Sequence, residues 1–236
     1  MARAGVASRR ECERLIRDGR VAVNGKPITA MGVQVGDGDT VTVDGHDLPA
    51  PPAISGARYL ALNKPPGYLC ANSGGRGRPL ALELLPAPPA TPRLFHVGRL
   101  DLWSQGLILY TSDGDFALRA SHPRYGVEKE YLVVADHIDE AHLRRHAGPH
   151  PPGGLALAAY QLLSDRRVLI TLTEGRNREV RRIFSGGGMR VETLERRRVG
   201  PVRLGRLASG HWRDLSENEV QWFLARRAVA VPAGAP

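Results

Sequence analysis

The stretch from residue 96 to 115, HVGRLDLWSQGLILYTSDGD, constrains the fold more than any other part of the chain. Apolar runs at 94–97 and 107–111 enclose a polar segment, and each run has the length of a short strand. Asp113-Gly114 then predicts a tight turn, because glycine adopts positive φ angles without strain. The pattern predicts two strands that hold the intervening loop at both ends.

The loop between these strands carries Arg99, Asp101, Ser104 and Gln105. A charged pair on a loop fixed by rigid strands is a usual way to present a catalytic group. The same pattern also fits a surface hairpin whose arginine and aspartate face water. Local pattern alone leaves both interpretations open.

The motif GRLDxxSxGL, followed by TSDG, resembles the catalytic motif of the pseudouridine synthases, most closely the branch that modifies bacterial ribosomal RNA. In that family the aspartate is the catalytic carboxylate, which corresponds here to Asp101. The resemblance also implies that Arg99 fills the space left by the displaced base or contacts RNA phosphates. Whether the carboxylate acts as a nucleophile or as a base stays open.

A second stretch, VEKEYLVV at 127–134, predicts a strand. Alternation along a strand puts Lys129 and Tyr131 on the same face. KEY resembles the K-x-Y motif of the same family, which implies that Tyr131 stacks on the uracil as part of the catalytic set and that Lys129 contacts the substrate. Without the resemblance, a strand tyrosine is more often part of a half-buried core.

A third stretch, EGRNREVRR at 174–182, lies at a predicted junction from strand to helix. It resembles a family pattern whose last arginine pairs with the catalytic aspartate, and that position is Arg181. The resemblance makes Val180 the apolar neighbour of the base and places Arg176 and Asn177 in substrate binding. Upstream, NKPPG at 63–67 resembles the family's first motif, although it also fits a strand ended by proline.

The N-terminal sequence AGVASRRECERLIRDGRVAVNG predicts a helix that Ser8 and Glu11 cap, followed by a hairpin at Asn24-Gly25. This order resembles the RNA-binding domain named after ribosomal protein S4, in which a basic helix rests on RNA phosphates. Family members have an earlier segment, so the first helix is predicted to be incomplete. The resemblance assigns RNA contact to four arginines of this helix: Arg9, Arg10, Arg14 and Arg17.

The predicted organisation is an S4-like domain at 1–45, a proline-rich linker at 46–56, a catalytic domain at 57–227 and a loose tail at 228–236. The predicted fold class is α+β. The resemblance implies a mixed, mainly antiparallel sheet with flanking helices and a central cleft, joined to a small N-terminal α/β domain.

The formal net charge of +9 favours a polyanionic partner such as nucleic acid. Nearly all of the positive charge is arginine, however, and the only lysines are Lys26, Lys64 and Lys129, so base composition could produce the same excess. Two distant cysteines and the absence of a ligand pattern predict neither a disulfide nor a metal site. No sequence segment is long and apolar enough to span a membrane, which predicts a cytoplasmic protein.

Together these features predict an RNA pseudouridine synthase that acts as a monomer, without a cofactor, on large-subunit (23S) ribosomal RNA, either free or in a pre-ribosomal particle. One alternative is small-subunit RNA as the substrate. Another is a non-catalytic RNA-binding protein of ribosome assembly. A glycosidic hydrolase fits less well, because such enzymes usually need two carboxylates and the central motif supplies one.

Overall fold

The chain divides into two compact units, an N-terminal unit of residues 1–55 and a larger unit of residues 56–236. Ser8 of the predicted capping box, residues 49–55 of the predicted linker and the tail from 229 onward lie outside the described residues. The computed structural model describes residues 1, 4, 6–7, 9–36, 38–48, 56–72, 77–86, 94–148, 151 and 154–228.

The N-terminal unit contains one helix and an antiparallel sheet of strand order β2-β1-β3-β4. Its elements are α1 (Arg9–Arg17), β1 (Val21–Val23), β2 (Lys26–Ile28), β3 (Val41–Val43) and β4 (His46–Asp47). The first hairpin turn is confirmed, because Asn24 and Gly25 both have positive φ angles. The last strand, β4, pairs with β3 and lies within the range that the sequence assigned to the linker.

The larger unit is built on one nine-stranded sheet, whose main path runs β13-β5-β7-β11-β8-β10-β9. β6 pairs with β7 and β12 with β11, and all pairings are antiparallel except the parallel one between β7 and β11. This confirms the predicted mixed, mainly antiparallel sheet. The strands are β5 (Tyr59–Lys64), β6 (Phe95–Val97), β7 (Gln105–Thr111), β8 (Lys129–Ala135), β9 (Ala159–Ser164), β10 (Arg167–Leu172), β11 (Val191–Val199), β12 (Val202–Arg203) and β13 (Trp212–Asp214).

Apolar clusters on both sides of the sheet explain the continuous apolar sequence of β7. Ile108 and Tyr110 belong to one cluster, and Leu107 and Leu109 belong to the other. A strand that is covered on both faces needs apolar residues at every position rather than at alternate ones. The helices of this unit are α2 (Gly114–Ser121), α3 (Glu140–His146), α4 (Glu179–Gly186) and α5 (Glu217–Leu224). None of the helices in the described ranges has the length and apolar character needed to cross a membrane.

The prediction of a tight turn at Asp113-Gly114 was wrong. Asp113 is the N-cap of α2, and its carboxylate accepts hydrogen bonds from the backbone amides of Asp115 and Phe116. Gly114 is the first helical residue and has no positive φ angle. An aspartate before a glycine suits both structures, and the amphipathic run after it, which buries Phe116, favours the helix.

Candidate active site

A four-residue turn, Asp101–Ser104, lies between β6 and β7. The amide of Ser104 donates to the carbonyl of Asp101 at 3.1 Å, which closes the turn. Both flanking strands are in the sheet, because β6 pairs with β7 along its whole length. The Asp101 side chain is about one-third exposed. The sheet therefore presents this carboxylate at a fixed place, as the sequence predicted.

Lys64 anchors the Asp101 turn through hydrogen bonds to its backbone. It is the last residue of β5, is fully buried, and donates through Nζ to the carbonyl oxygens of Pro65, Leu102 and Ser104 at 2.7, 3.3 and 2.8 Å. Burial lowers the pKa of its ammonium to about 8, against the attraction of Asp101. The NKPPG motif is therefore more than the end of a strand, because its lysine fixes the backbone of the Asp101 turn.

Two guanidinium groups face the Asp101 carboxylate. Nη1 of Arg178 lies 3.7 Å and Nε of Arg181 lies 3.8 Å from Oδ2 of Asp101. The sequence pointed to Arg181 alone. Arg178 precedes α4 as its N-cap, three residues before Arg181, and residues with this spacing lie on the same side of a helix. The helical spacing within EGRNREVRR could have indicated the second arginine.

The Asp101 turn borders a cleft that is also lined by residues of β8, of β11 and of the segment that leads into α4. Two of its lining residues, Lys129 and Tyr131, follow the predicted alternation on β8, and both are at least nine-tenths buried. Asn177 is exposed and does not line the cleft. Arg181 does not line the cleft either, but its Nε lies 3.8 Å from Oδ2 of Asp101, which does. The residues from the sequence prediction that line the cleft are Arg99, Asp101, Lys129, Tyr131, Arg176 and Val180.

Buried charges form much of the cleft. Burial lowers the pKa of Lys129 to about 8, and the Arg196 charge acts in the same direction. Nζ of Lys129 donates to the carbonyl of Val127 at 3.0 Å. The opposite charge is Glu179, which is 4% exposed and whose pKa is raised by burial. Its Oε2 accepts the amide of Arg176 at 2.9 Å, so this carboxylate shapes the loop before α4.

Arg196 also lines the cleft and was not predicted from the sequence, and so does Ser104, which the sequence placed on the loop without assigning it a role. Nε of Arg196 donates to the carbonyl of Leu107 at 2.7 Å, and the residue is 3% exposed. Nη2 of Arg196 and Oγ of Ser104 are buried without a hydrogen-bond partner among the described residues. A charge run such as 196–198 usually lies at a solvated edge of a sheet, so its sequence carried no signal that Arg196 points inward.

On the N-terminal unit, the helix α1 is amphipathic. Cys12 and Leu15 are buried, whereas Arg10, Arg14 and Arg17 are exposed. The side chain of the fourth predicted arginine, Arg9, lies outside the described part of the structure.

The geometry can be compared with known proteins. The family model described as RNA pseudouridylate synthase matches residues 58–186, which include the Asp101 turn and all of α4. The chain belongs to this family. It is an RNA pseudouridine synthase, and the model of the S4 domain matches residues 1–41, which adds an RNA-binding domain.

Relatives of nearly the same length support this membership. The synthase is 38% identical to an uncharacterized RNA pseudouridine synthase of Aquifex aeolicus (strain VF5), over 98% of this chain and 95% of that protein. It is 34% identical to the ribosomal large subunit pseudouridine synthase B of Bacillus subtilis (strain 168), over 94% and 92%. A crystal structure of a pseudouridylate synthase superposes with a TM-score of 0.66 at 28% identity, covering 94% of this chain and 96% of that one.

Proposed function

We propose that this synthase converts one uridine of large-subunit (23S) ribosomal RNA into pseudouridine, with Asp101 as the reacting carboxylate. The main observation behind this proposal is that Asp101 lies on a turn anchored by buried Lys64. The guanidinium groups of Arg178 and Arg181 lie within 4 Å of Oδ2 of Asp101. The likeness to the large-subunit enzyme of Bacillus subtilis supports the choice of RNA. The enzyme would act as a monomer in the cytoplasm.

The reaction is an isomerisation that needs no external group. The bond between N1 of uracil and the ribose breaks, the bond between C5 and the ribose forms, and a proton moves from C5 to N1 through solvent. Asp101 can serve as a nucleophile toward the sugar or base, or as a base that removes a ribose proton. In either role the two guanidinium groups lie within 4 Å of the reacting carboxylate.

The base has to leave its stack before the carboxylate can reach it. The cleft offers the ring of Tyr131 and the side chain of Val180 as walls for the displaced uracil. Arg99 is exposed beside the cleft and can occupy the vacated position or bind a phosphate. Lys129 and Arg176 supply further donors to the substrate, and Asn177 contributes at the outer edge of the same loop.

The exposed arginines of α1 suit contacts with phosphates. Arg10, Arg14 and Arg17 present positive charge that carries no sequence information and increases affinity for any RNA. We assign Arg9 to the same group on its sequence position. The N-terminal unit would then contribute binding strength, and the cleft of the larger unit would contribute chemistry.

A pseudouridine map of ribosomal RNA tests this proposal. Cells that lack the protein are complemented with wild type, with Asp101→Asn or with the exposed control Asp115→Asn. We expect one large-subunit site that wild type and the control restore and Asp101→Asn does not, although purified Asp101→Asn still binds RNA. A lost site in the small subunit would change the substrate, and no lost site in either subunit would favour a non-catalytic role in ribosome assembly.

A further inference from the structure

The Asp101 turn carries a tryptophan whose position the proposed chemistry leaves unexplained. Trp103 is the third residue of the turn, two positions after Asp101, and its side chain is 70% exposed. A tryptophan that contributes to the core would be largely buried, as large aromatic side chains usually are. Trp103 therefore contributes little to folding and keeps most of its aromatic surface in contact with water.

The backbone that carries Trp103 is held at several points. The carbonyl of Leu102 accepts hydrogen bonds from both the amide of Gly67 and the ammonium of Lys64, and that ammonium also binds the carbonyl of Ser104. A Cβ added at Gly67 would lie 3.9 Å from Cζ3 of the indole, so the ring lies directly beside this glycine. The ring is thus presented on a fixed support, which lowers the entropy cost of binding a flat ligand.

The surroundings of the ring select the ligand. Consecutive Cα atoms are about 3.8 Å apart, so the Cα of Trp103 lies within about 7.6 Å of that of Asp101, or roughly two base steps of 3.4 Å. Arg99 and Arg178 border the same turn and supply positive charge. An exposed aromatic ring on a turn whose aspartate has cationic neighbours suits a nucleic-acid base joined to phosphates, because bases stack on aromatic rings regardless of sequence.

We propose that Trp103 stacks on a base of the RNA strand one or two nucleotides from the uridine that enters the cleft. This inference rests on the proposed role of the Asp101 site, because it takes the position of the neighbouring base from that of the target uridine. The stack would hold the strand beside the cleft after the uridine has been displaced.

Binding of a ten-nucleotide oligouridylate to the full-length protein tests the stack directly. We expect the oligouridylate to quench tryptophan fluorescence, whereas inorganic polyphosphate, which has charge and no bases, should bind without quenching. Trp103→Phe should lose the quenching and the control Trp222→Phe should keep it. Quenching that survives Trp103→Phe, or equal quenching by polyphosphate, would overturn the inference.

Affinity for the same probe provides a second measurement. Stacking of one base on an aromatic residue predicts that Trp103→Ala binds labelled oligouridylate about 5- to 150-fold more weakly. Trp103→Phe, which keeps an aromatic ring, should lose much less, and the affinity for polyphosphate should not change. Equal affinity of wild type and Trp103→Ala for oligouridylate contradicts the stack.

The place of the stacked base can be found with the RNA that the pseudouridine map identifies. An abasic nucleotide at the stacked position should reduce the affinity of wild type for the RNA as much as Trp103→Ala does. The two changes together should reduce the affinity no more than either change alone. If Trp103→Ala and the abasic nucleotide reduced the affinity additively at every neighbouring position, the assignment would be refuted. If Asp101→Asn retains pseudouridine formation, the proposed chemistry fails, but the oligouridylate measurements still decide whether Trp103 stacks on RNA.

Discussion

Replacement of Lys64 by methionine tests the idea that a buried ammonium fixes the Asp101 turn. The side chain is fully buried and binds three carbonyl oxygens, two of which belong to Leu102 and Ser104 in the turn. Methionine has a similar length and fills most of the volume, but it donates no hydrogen bond. The substitution therefore removes the electrostatic anchor while changing the packing little.

The energies can be worked from the contacts. The carbonyl of Leu102 keeps the amide of Gly67 as a donor, whereas those of Pro65 and Ser104 lose the ammonium. Hydrogen bonds to a charged group contribute about 1.5–3 kcal/mol each, so the loss is about 3–6 kcal/mol. Burial lowers the pKa of Lys64 from 10.5 to about 8. This shift corresponds to an unfavourable free energy of about 3 kcal/mol for burying the charge, which Lys64→Met removes. We expect Lys64→Met to lower the free energy of unfolding by about 0–3 kcal/mol at pH 7.

The difference from wild type should grow with pH. Below pH 8, Lys64 is charged in both the folded and the unfolded chain, and its desolvation cost is fully present. Between pH 8 and 10.5 the unfolded chain binds more protons at this site than the folded chain, so the stability of wild type rises relative to Lys64→Met. The expected increase is about 1.4 kcal/mol per pH unit above pH 8.

Urea unfolding at pH 7 to 9.5, followed by tryptophan fluorescence, measures this difference. All three tryptophans lie in the larger unit, so the signal reports on that unit alone. Lys26→Met, at an exposed position of the N-terminal unit, is the control and should behave as wild type. Turnover should fall about 100-fold, because a displacement of about 1 Å at a reacting group has an effect of that size. Unchanged turnover would refute the anchoring role of the ammonium, and a pH-independent stability difference would refute the lowered pKa of Lys64.

Two further substitutions test the framework of the site, both by urea unfolding. Gly106→Ala should destabilise the larger unit by about 3 kcal/mol or more, because Gly106 has a φ of +97° and a Cβ there would lie 2.5 Å from the carbonyl oxygen of Arg196. The control Gly114→Ala has open space around its Cβ and should leave the free energy of unfolding nearly unchanged. Equal effects of the two substitutions would disprove the close approach. Asp113→Ala should lower the free energy of unfolding by about 1–2 kcal/mol, because it removes the α2 cap and the acceptor of the Tyr59 hydroxyl. The control Asp115→Ala should lower it less. A loss below about 0.5 kcal/mol for Asp113→Ala would exclude the cap as a stabilising contact.

Sequence reasoning was most successful where a feature is local. The strands around the Asp101 turn and the hairpin at Asn24-Gly25 each depend on a short pattern of apolar and turn residues. The capping box of α5, in which Ser216 and Glu219 bond to each other's backbone amides, is a local pattern of the same kind. At Asp113-Gly114 the local pattern was ambiguous, because a turn and a helix cap differ only in the residues after the glycine.

Arg196, a site residue that the sequence did not reveal, depends on a contact between distant segments. Arg196 is 95 residues from Asp101, and its inward orientation follows from the parallel pairing of β11 with β7, which puts Arg196 opposite Gly106. No periodicity within an arginine run can indicate which member turns inward. The strand β9 was also missed, because its residues are mostly exposed and alternate only weakly.

The chemistry of lysine explains why two of the three lysines in this arginine-rich chain occupy the site. An ammonium is compact and donates in three directions, which suits the three carbonyl oxygens that converge on Lys64. A planar guanidinium cannot point donors at such a cluster, and unlike an ammonium it cannot lose its charge when buried. Lys129 shares the burial, the carbonyl acceptor and the lowered pKa. The composition that weakens net charge as evidence for RNA binding thus makes each buried lysine an informative exception.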